Sequence, residues 1–281
     1  MEETIGFIGQ GWIGKNYADD FEARGFQVVR YSLEPQYSDN KDKIKNCEIT
    51  FIAVPTPTTL GGFDDSYVID ALTNIGEGNV AVIKSTTEPG LVASLQEKFP
   101  HILILHSPEF LVEKTAAYDA AHPNRNIIGV PKDTASHSEA AKRVLAVLPE
   151  APYNTIMNSL DSELVKYAGN CFLYTKLLFM NTLFDVVEKS NGGWKKVKEA
   201  LVQDPRIGES HTSPVSDGGR GAGGHCFIKD FEAFLQYYKR VVGEDEALDV
   251  LSAAVTYNNR LLSESGKDAE IVRAVYGDAI L

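Results

Sequence analysis

Thr4-Ile5-Gly6-Phe7-Ile8-Gly9-Gln10-Gly11-Trp12-Ile13-Gly14 decides the fold of this chain. The first half is an apolar run of strand length. The second half spaces three glycines so that a tight turn opens a helix over residues 13–24. Glycines at such a turn let backbone N–H groups approach a pyrophosphate at the positive end of a helix. Gly9, Gly11, Trp12, Ile13 and Gly14 are therefore candidate contacts for a dinucleotide.

Outward from this stretch, short β-branched runs recur at 27–31, 49–54, 80–84, 102–106 and 126–130. Helix-compatible stretches separate them at 66–75, 91–99 and 134–148, and a last strand is expected at 153–157. Unbroken apolar strands alternating with helices predict an α/β fold, a doubly wound Rossmann-type parallel sheet. After residue 158 the pattern becomes helical, with one long reading over 161–190 and shorter ones at 195–202, 231–241, 246–262 and 269–275. The sequence thus divides into a dinucleotide-binding domain, 1–158, and an all-helical domain, 159–281, built on a long central helix. Segment 204–226 is rich in turn-forming residues and is expected to be an ordered functional loop.

The balance of 27 basic against 39 acidic residues gives a net charge of -12, which repels phosphate backbones and anionic lipid. Nucleic acid is not an expected partner. The longest greasy stretch, 171–184, is broken by Lys176 and Asn181 and is too short to span a bilayer. Residues 1–3 run straight into the first strand, so no export signal is read. Cys47, Cys171 and Cys226 are widely spaced and lack metal-ligand spacing, which predicts reduced thiols, a cytoplasmic setting and no metal.

Cofactor choice turns on the end of the second strand, where Ser32 stands in place of the usual acidic residue. Glu34 would suit a ribose 2′-hydroxyl and so NAD, whereas Arg30 with Ser32 would suit a 2′-phosphate and so NADP. NAD is the preferred reading.

Three segments carry reactive side chains. Ser107-Pro108-Glu109-Phe110-Leu111-Val112-Glu113 spaces two carboxylates four apart, on one face if helical. Glu163-Leu164-Val165-Lys166-Tyr167-Ala168-Gly169-Asn170 puts Lys166 and Asn170 one turn apart on the long helix. Gly221-Ala222-Gly223-Gly224-His225-Cys226-Phe227-Ile228-Lys229-Asp230 sets a thiol after a glycine turn, with a cation and a carboxylate close behind.

Together these segments resemble the UDP-glucose/GDP-mannose dehydrogenase family, most of all its UDP-glucose members. Val54-Pro55-Thr56-Pro57, Lys84-Ser85-Thr86, Pro123-Asn124-Arg125 and Asp204-Pro205-Arg206-Ile207-Gly208 extend the resemblance along nearly the whole chain. It implies NAD-dependent four-electron oxidation of a nucleotide sugar, with UDP-glucose to UDP-glucuronate foremost. Cys226 would be the covalent nucleophile, passing through a thiohemiacetal and a thioester. Lys166, assisted by Asn170, would stabilise oxyanion charge, while Asp230, Glu113 and Thr86 would order water or move protons. Ser32, Thr56, Thr86 and Lys229 would touch cofactor. Glu109, Phe110, Leu111, Glu113, Lys166, Asn170, His211 and Gly223 would touch substrate.

The resemblance also implies a homodimer through the helical domain. Family members usually carry a third, carboxy-terminal domain for the nucleotide half of the substrate, which these 281 residues are expected to lack. Two rival readings remain. Lys166 and Asn170 also resemble the pair of β-hydroxyacid dehydrogenases, which perform a single oxidation without a cysteine. A shortened, non-catalytic cofactor-binding module is the other.

Overall fold

A computed structural model describes residues 3–277. They fall into two compact units, one comprising residues 3–57 and 64–166, the other residues 58–63 and 167–277.

The first unit is built on strands β1 (Ile5–Ile8), β2 (Val28–Tyr31), β3 (Ile49–Ile52), β6 (Val80–Ile83), β7 (Leu103–His106), β8 (Arg125–Val130) and β9 (Tyr153–Asn158). They form one sheet in the order β2-β1-β3-β6-β7-β8-β9. Pairing is parallel from β2 to β7 and again between β8 and β9. Where β8 meets β7, at His106 and Gly129, it runs antiparallel, so the last two strands are reversed within a mostly parallel sheet. Between β7 and β8 the chain forms only a 3-10 turn, Glu113–Thr115, and the six-residue helix α5 (Ala116–Ala121).

Register explains why the fully buried central strands β1, β3 and β6 are almost wholly apolar. Phe7, Phe51, Val82 and Leu105 lie in one row across four strands, and Ile8, Ile52 and Ile83 in the next. Successive side chains point to opposite faces, so the first row joins one core and the second row the other. Helices α1 (Trp12–Ala23) and α6 (Ala135–Val147) cover the first face. Helices α3 (Ser66–Leu72) and α4 (Leu91–Lys98) cover the second, and α2 (Lys41–Ile44) adds Ile44 to it. Phe7 stacks on Phe51 at 5.1 Å and meets Phe21 edge-on at 5.4 Å. Truncating a fully buried ring of this kind costs about 3–5 kcal/mol.

The second unit is mostly helical: α7 (Ser159–Lys189), which begins in the first unit, then α8 (Trp194–Leu201), α9 (Gly224–Val241), α10 (Glu246–Ser265) and α11 (Ala269–Tyr276). Two small hairpins, β4–β5 (Thr58–Thr59 and Gly62–Phe63) and β10–β11 (Val215–Ser216 and Gly219–Arg220), complete it. Its core is centred on Tyr174, which stacks on Phe231 at 4.0 Å among Cys171, Leu177, Leu178 and Leu261. Among the described residues, no helix is long and apolar enough to cross a membrane.

His106, at the end of β7, is fully buried, with Nδ1 2.7 Å from the Ser162 hydroxyl. Burial, reinforced by the charges of Lys84 and Lys166, pushes its pKa down to about 3. The unfolded chain, with the ordinary value near 6.5, binds more protons than the native state between those limits. The contribution of His106 is therefore complete above pH 6.5 and lost as pH falls toward 3, at up to about 1.4 kcal/mol per pH unit. Urea unfolding at pH 7.5, 6 and 5 is expected to show a shallower acid loss in His106→Gln than in the native chain.

Candidate functional site

The glycine turn is built as its sequence requires. Gly9 has φ +90°, and a Cβ there would stand 2.2 Å from the Ala53 carbonyl oxygen; one at Gly14 would stand 2.0 Å from the oxygen of Gly9. These two glycines let strand, turn and helix close on one another. Gly11 differs: it is the N-cap of α1 with no side-chain capping bond, and a Cβ on it would meet nothing within 4 Å. The uncapped helix end faces open space, the geometry that fits a pyrophosphate.

That turn lines a cavity of ≈ 460 Å³ formed with Trp12, Ile13, Ser32, Glu34, Val54 and Tyr67. Arg30 is not in its wall. Its guanidinium is held by Asp19 at 2.7 Å and Glu22 at 2.8 Å, which hold it firmly protonated. With Arg30 occupied and Glu34 in the wall, the cavity suits a ribose 2′-hydroxyl and repels a 2′-phosphate, which fits NAD. Thr56 and Thr86, buried just beyond the carboxyl ends of β3 and β6, do not line this cavity.

Still in the first unit, Lys166 Nζ donates to Glu109 Oε1 and to the Glu109 carbonyl, each at 2.8 Å, and Glu109 Oε2 accepts the Leu111 N–H at 2.8 Å. Both side chains are buried. Residues 107–112 form no helix, so Glu109 and Glu113 do not share a face: Glu109 points inward and Glu113 is exposed at the start of a 3-10 turn. The helix on which the two carboxylates would share a face is thus absent. Phe110 instead lies 3.8 Å beneath the Arg125 guanidinium.

In the second unit, Cys226 sits in the first turn of α9, which begins at Gly224, earlier than the expected 231. The three cysteines are all thiols. Burial pushes the Cys47 thiol up to about 11 and the Cys171 thiol well above its ordinary range, so both stay protonated at neutral pH. Cys226 is only half-buried. One turn along α9, the Asp230 carboxylate is buried and held by Asn170 Nδ2 at 2.6 Å and by Lys229 Nζ. His211 is a half-buried residue at φ 57°, edge-on to Phe227, its pKa lowered by burial and by Lys176.

Several anchoring residues escaped sequence reasoning. Asn258, wholly buried in α10, accepts the Ala222 N–H at 2.7 Å and donates to its carbonyl at 3.0 Å. Asp268 accepts the Gly224 N–H at 2.7 Å, and a Cβ on Gly223 would fall 2.0 Å from that carboxylate. Glu163 takes the N–H groups of Gly90 and Val92 at the start of α4, with burial raising its pKa to about 7. A polar residue inside an apolar helical run was the one signal available for Asn258 and Glu163.

The contrast between the glycines gives a direct test of the cofactor cleft. Gly11→Ala is expected to melt within about 2 °C of the native chain yet lose roughly tenfold or more in NAD affinity, because only a ligand meets the added methyl. Gly14→Ala is expected to lower the melting temperature with or without NAD. Thermal melts paired with calorimetric NAD titrations check both.

Residues 35–148 match the UDP-glucose/GDP-mannose dehydrogenase family, NAD binding domain, and residues 161–260 match its central domain. UDP-glucose 6-dehydrogenase of Rickettsia conorii is 35% identical over 237 residues, covering 79% of this chain and 52% of that protein. The chain spans about half the length of the curated relatives it matches. A UDP-glucose dehydrogenase structure from Pyrobaculum islandicum superimposes with a TM-score of 0.79 at 26% identity, over 94% of this chain and 71% of that one. A 3-hydroxyisobutyrate dehydrogenase from Mycobacterium tuberculosis, at 16% identity and TM-score 0.71, covers 100% of this chain and 98% of its own and shares the fold alone. With a glycine turn shaped for NAD and two family domains matched in order, the chain belongs to the UDP-glucose/GDP-mannose dehydrogenase family.

Proposed function

We propose that this protein oxidises a nucleotide sugar, UDP-glucose foremost, to the corresponding uronate in two hydride transfers through a covalent bond to Cys226. The observation that carries the reading is the placement of the thiol. Cys226 lies in the first turn of an 18-residue helix, whose positive end favours the thiolate, and one turn before an anchored buried carboxylate. The other two thiols are buried and held protonated.

Bound NAD supplies the hydride acceptor at each oxidation. The first oxidation converts the primary alcohol to an aldehyde, releasing the hydroxyl proton and one hydride. The Cys226 thiolate then adds to the aldehyde carbon, and its oxygen becomes that of a thiohemiacetal. Loss of the second hydride leaves a thioester, which water cleaves to the carboxylate while the thiol regains its proton. Lys166 supplies positive charge for the developing oxyanion, with Glu109 fixing its ammonium. Asp230, oriented by Asn170, is the candidate to position or deprotonate the hydrolytic water. Thr86 and Glu113 are assigned to ordering water, Thr56 and Lys229 to cofactor, and Phe110, Leu111, His211 and Gly223 to substrate. The dinucleotide-binding role goes to the first domain and assembly to the helical one.

Stoichiometry separates this reading from single oxidation. Two NADH are expected per UDP-glucose consumed, and Cys226→Ser is expected to lower kcat by at least about 100-fold. One NADH per turnover with an unaffected Cys226→Ser variant overturns the covalent route in favour of the Lys166 and Asn170 alternative. A coupled assay across UDP-glucose, GDP-mannose and UDP-N-acetylmannosamine tests substrate class, and silence on all three rejects it.

Assembly as a homodimer is part of the same proposal. Phe172, Phe179 and Val186 recur every seven residues along α7 and are 69%, 60% and 56% exposed in the single chain, an apolar stripe suited to a second copy. Light scattering is expected to give a dimer for the native chain and a monomer for Phe179→Glu.

A further inference from the structure

Three charged side chains lie buried together in the first unit: Lys84, Lys166 and Glu109. Glu109 makes its ion pair with Lys166 and reaches Lys84 only through its charge, and among the described residues no carboxylate is in ion-pair contact with the Lys84 ammonium. Its Nζ stands 3.2 Å from both the carbonyl and the hydroxyl of Ser107, 4.2 Å from the Tyr17 ring centroid and 5.9 Å from that of Phe51. Neutral oxygens and ring faces solvate an ammonium only partly. Burial accordingly pushes Lys84 down to about 7, as expected of an interior cation in search of a counter-ion.

Lys84 also lines a cavity of ≈ 220 Å³. Arg125 lies in its wall and is exposed, with its guanidinium plane over Phe110. Among the described residues no carboxylate comes within ion-pair distance of it. The acidic side chain in the wall, Asp119, is occupied by the Val112 N–H at 2.9 Å and the Thr115 hydroxyl at 2.8 Å. A polar cavity therefore presents two basic side chains, Lys84 and Arg125, against the single carboxylate of Asp119. Its volume lies below the roughly 300–1,000 Å³ of pockets that enclose drug-sized ligands, so a nucleotide does not fit.

We propose that this cavity is a binding site for a small oxyanion, a phosphate or short carboxylate, held between the Lys84 ammonium at its buried side and the Arg125 guanidinium at its exposed side. The guanidinium over the ring keeps its N–H edges available for two parallel bonds to such an anion, and the buried ammonium gains a counter-ion in contact. The site is separate from the glycine-turn cavity and stands whether or not the proposed oxidation does.

Calorimetric titration of the full 281-residue chain with inorganic phosphate, and separately with acetate, tests this with and without saturating NAD. One phosphate site is expected to persist in the presence of NAD and to weaken at least about tenfold in Arg125→Ala, the loss of a charge-assisted pair. Lys84→Met is expected to abolish it; should that buried variant fail to fold, the Arg125→Ala comparison decides alone. Acetate binding lost in the same variant identifies a general carboxylate and phosphate site, whereas phosphate binding alone identifies phosphate. Absence of binding at millimolar anion overturns the proposal. So does phosphate that NAD displaces and Arg125→Ala leaves intact, since that places it on the glycine turn.

Discussion

The ion pair of Lys166 with Glu109 is the contact on which the candidate chemistry of the first unit depends. Segment 107–112 has no secondary structure to hold it, yet it contributes the residues assigned to substrate. Lys166 fixes it from α7 through two bonds at 2.8 Å, one to the Glu109 carboxylate and one to its backbone. A buried pair adds little net stability when intact, but removing one partner strands a charge at a cost of about 3–5 kcal/mol. That asymmetry couples function to folding. On the proposed chemistry a Lys166 variant removes the charge offered to the oxyanion and also leaves Glu109 buried and uncompensated, so kinetics and stability are read together for such a variant.

The second unit handles the same problem with hydrogen bonds from side chains to backbone groups. Asn258 bonds both backbone groups of Ala222, and Asp268 takes the Gly224 N–H, so the entry to α9 is tied to α10 and the start of α11. Ile228 and Phe231 then anchor the rest of the first turns in the core. Cys226 thereby gains a fixed backbone although its side chain is only half-buried. Preorganisation of this kind suits the nucleophile role proposed for Cys226, since orientation supplied in advance is not lost at the transition state.

What the sequence disclosed follows from how local each signal is. The turn at Gly9, Gly11 and Gly14 is legible because strand, spacing and helix lie within eleven consecutive residues. The buried sheet is legible because strands covered on both faces are apolar throughout. The start of α9 was not: Gly224-His225-Cys226 resembles a loop, and only helix-spaced packing of Phe227 and Phe231 against α7 and α10 shows otherwise. Nor were Asn258 and Asp268, whose partners lie 36 and 44 residues away. The spacing of Glu109 and Glu113 carried no information here, because a four-residue spacing has meaning only on a helix and the segment, held by Lys166, forms none.

Charge placement in the first unit bears on how NAD is selected. The larger cavity carries no Lys or Arg in its wall, and the nearest candidate, Arg30, is consumed by Asp19 and Glu22. Phosphate binding there rests on the backbone N–H groups and dipole of α1, a fixed partial charge that brings no mobile counter-ions with it. Such a site holds a pyrophosphate without favouring every polyanion, and Glu34 in the same wall penalises a further phosphate on the ribose. Of the unit's cations, Arg30 and Lys166 are paired and Lys84 is enclosed, all away from this cleft. Discrimination against a 2′-phosphate thus comes less from a contact made to NAD than from a positive charge withheld from the cleft.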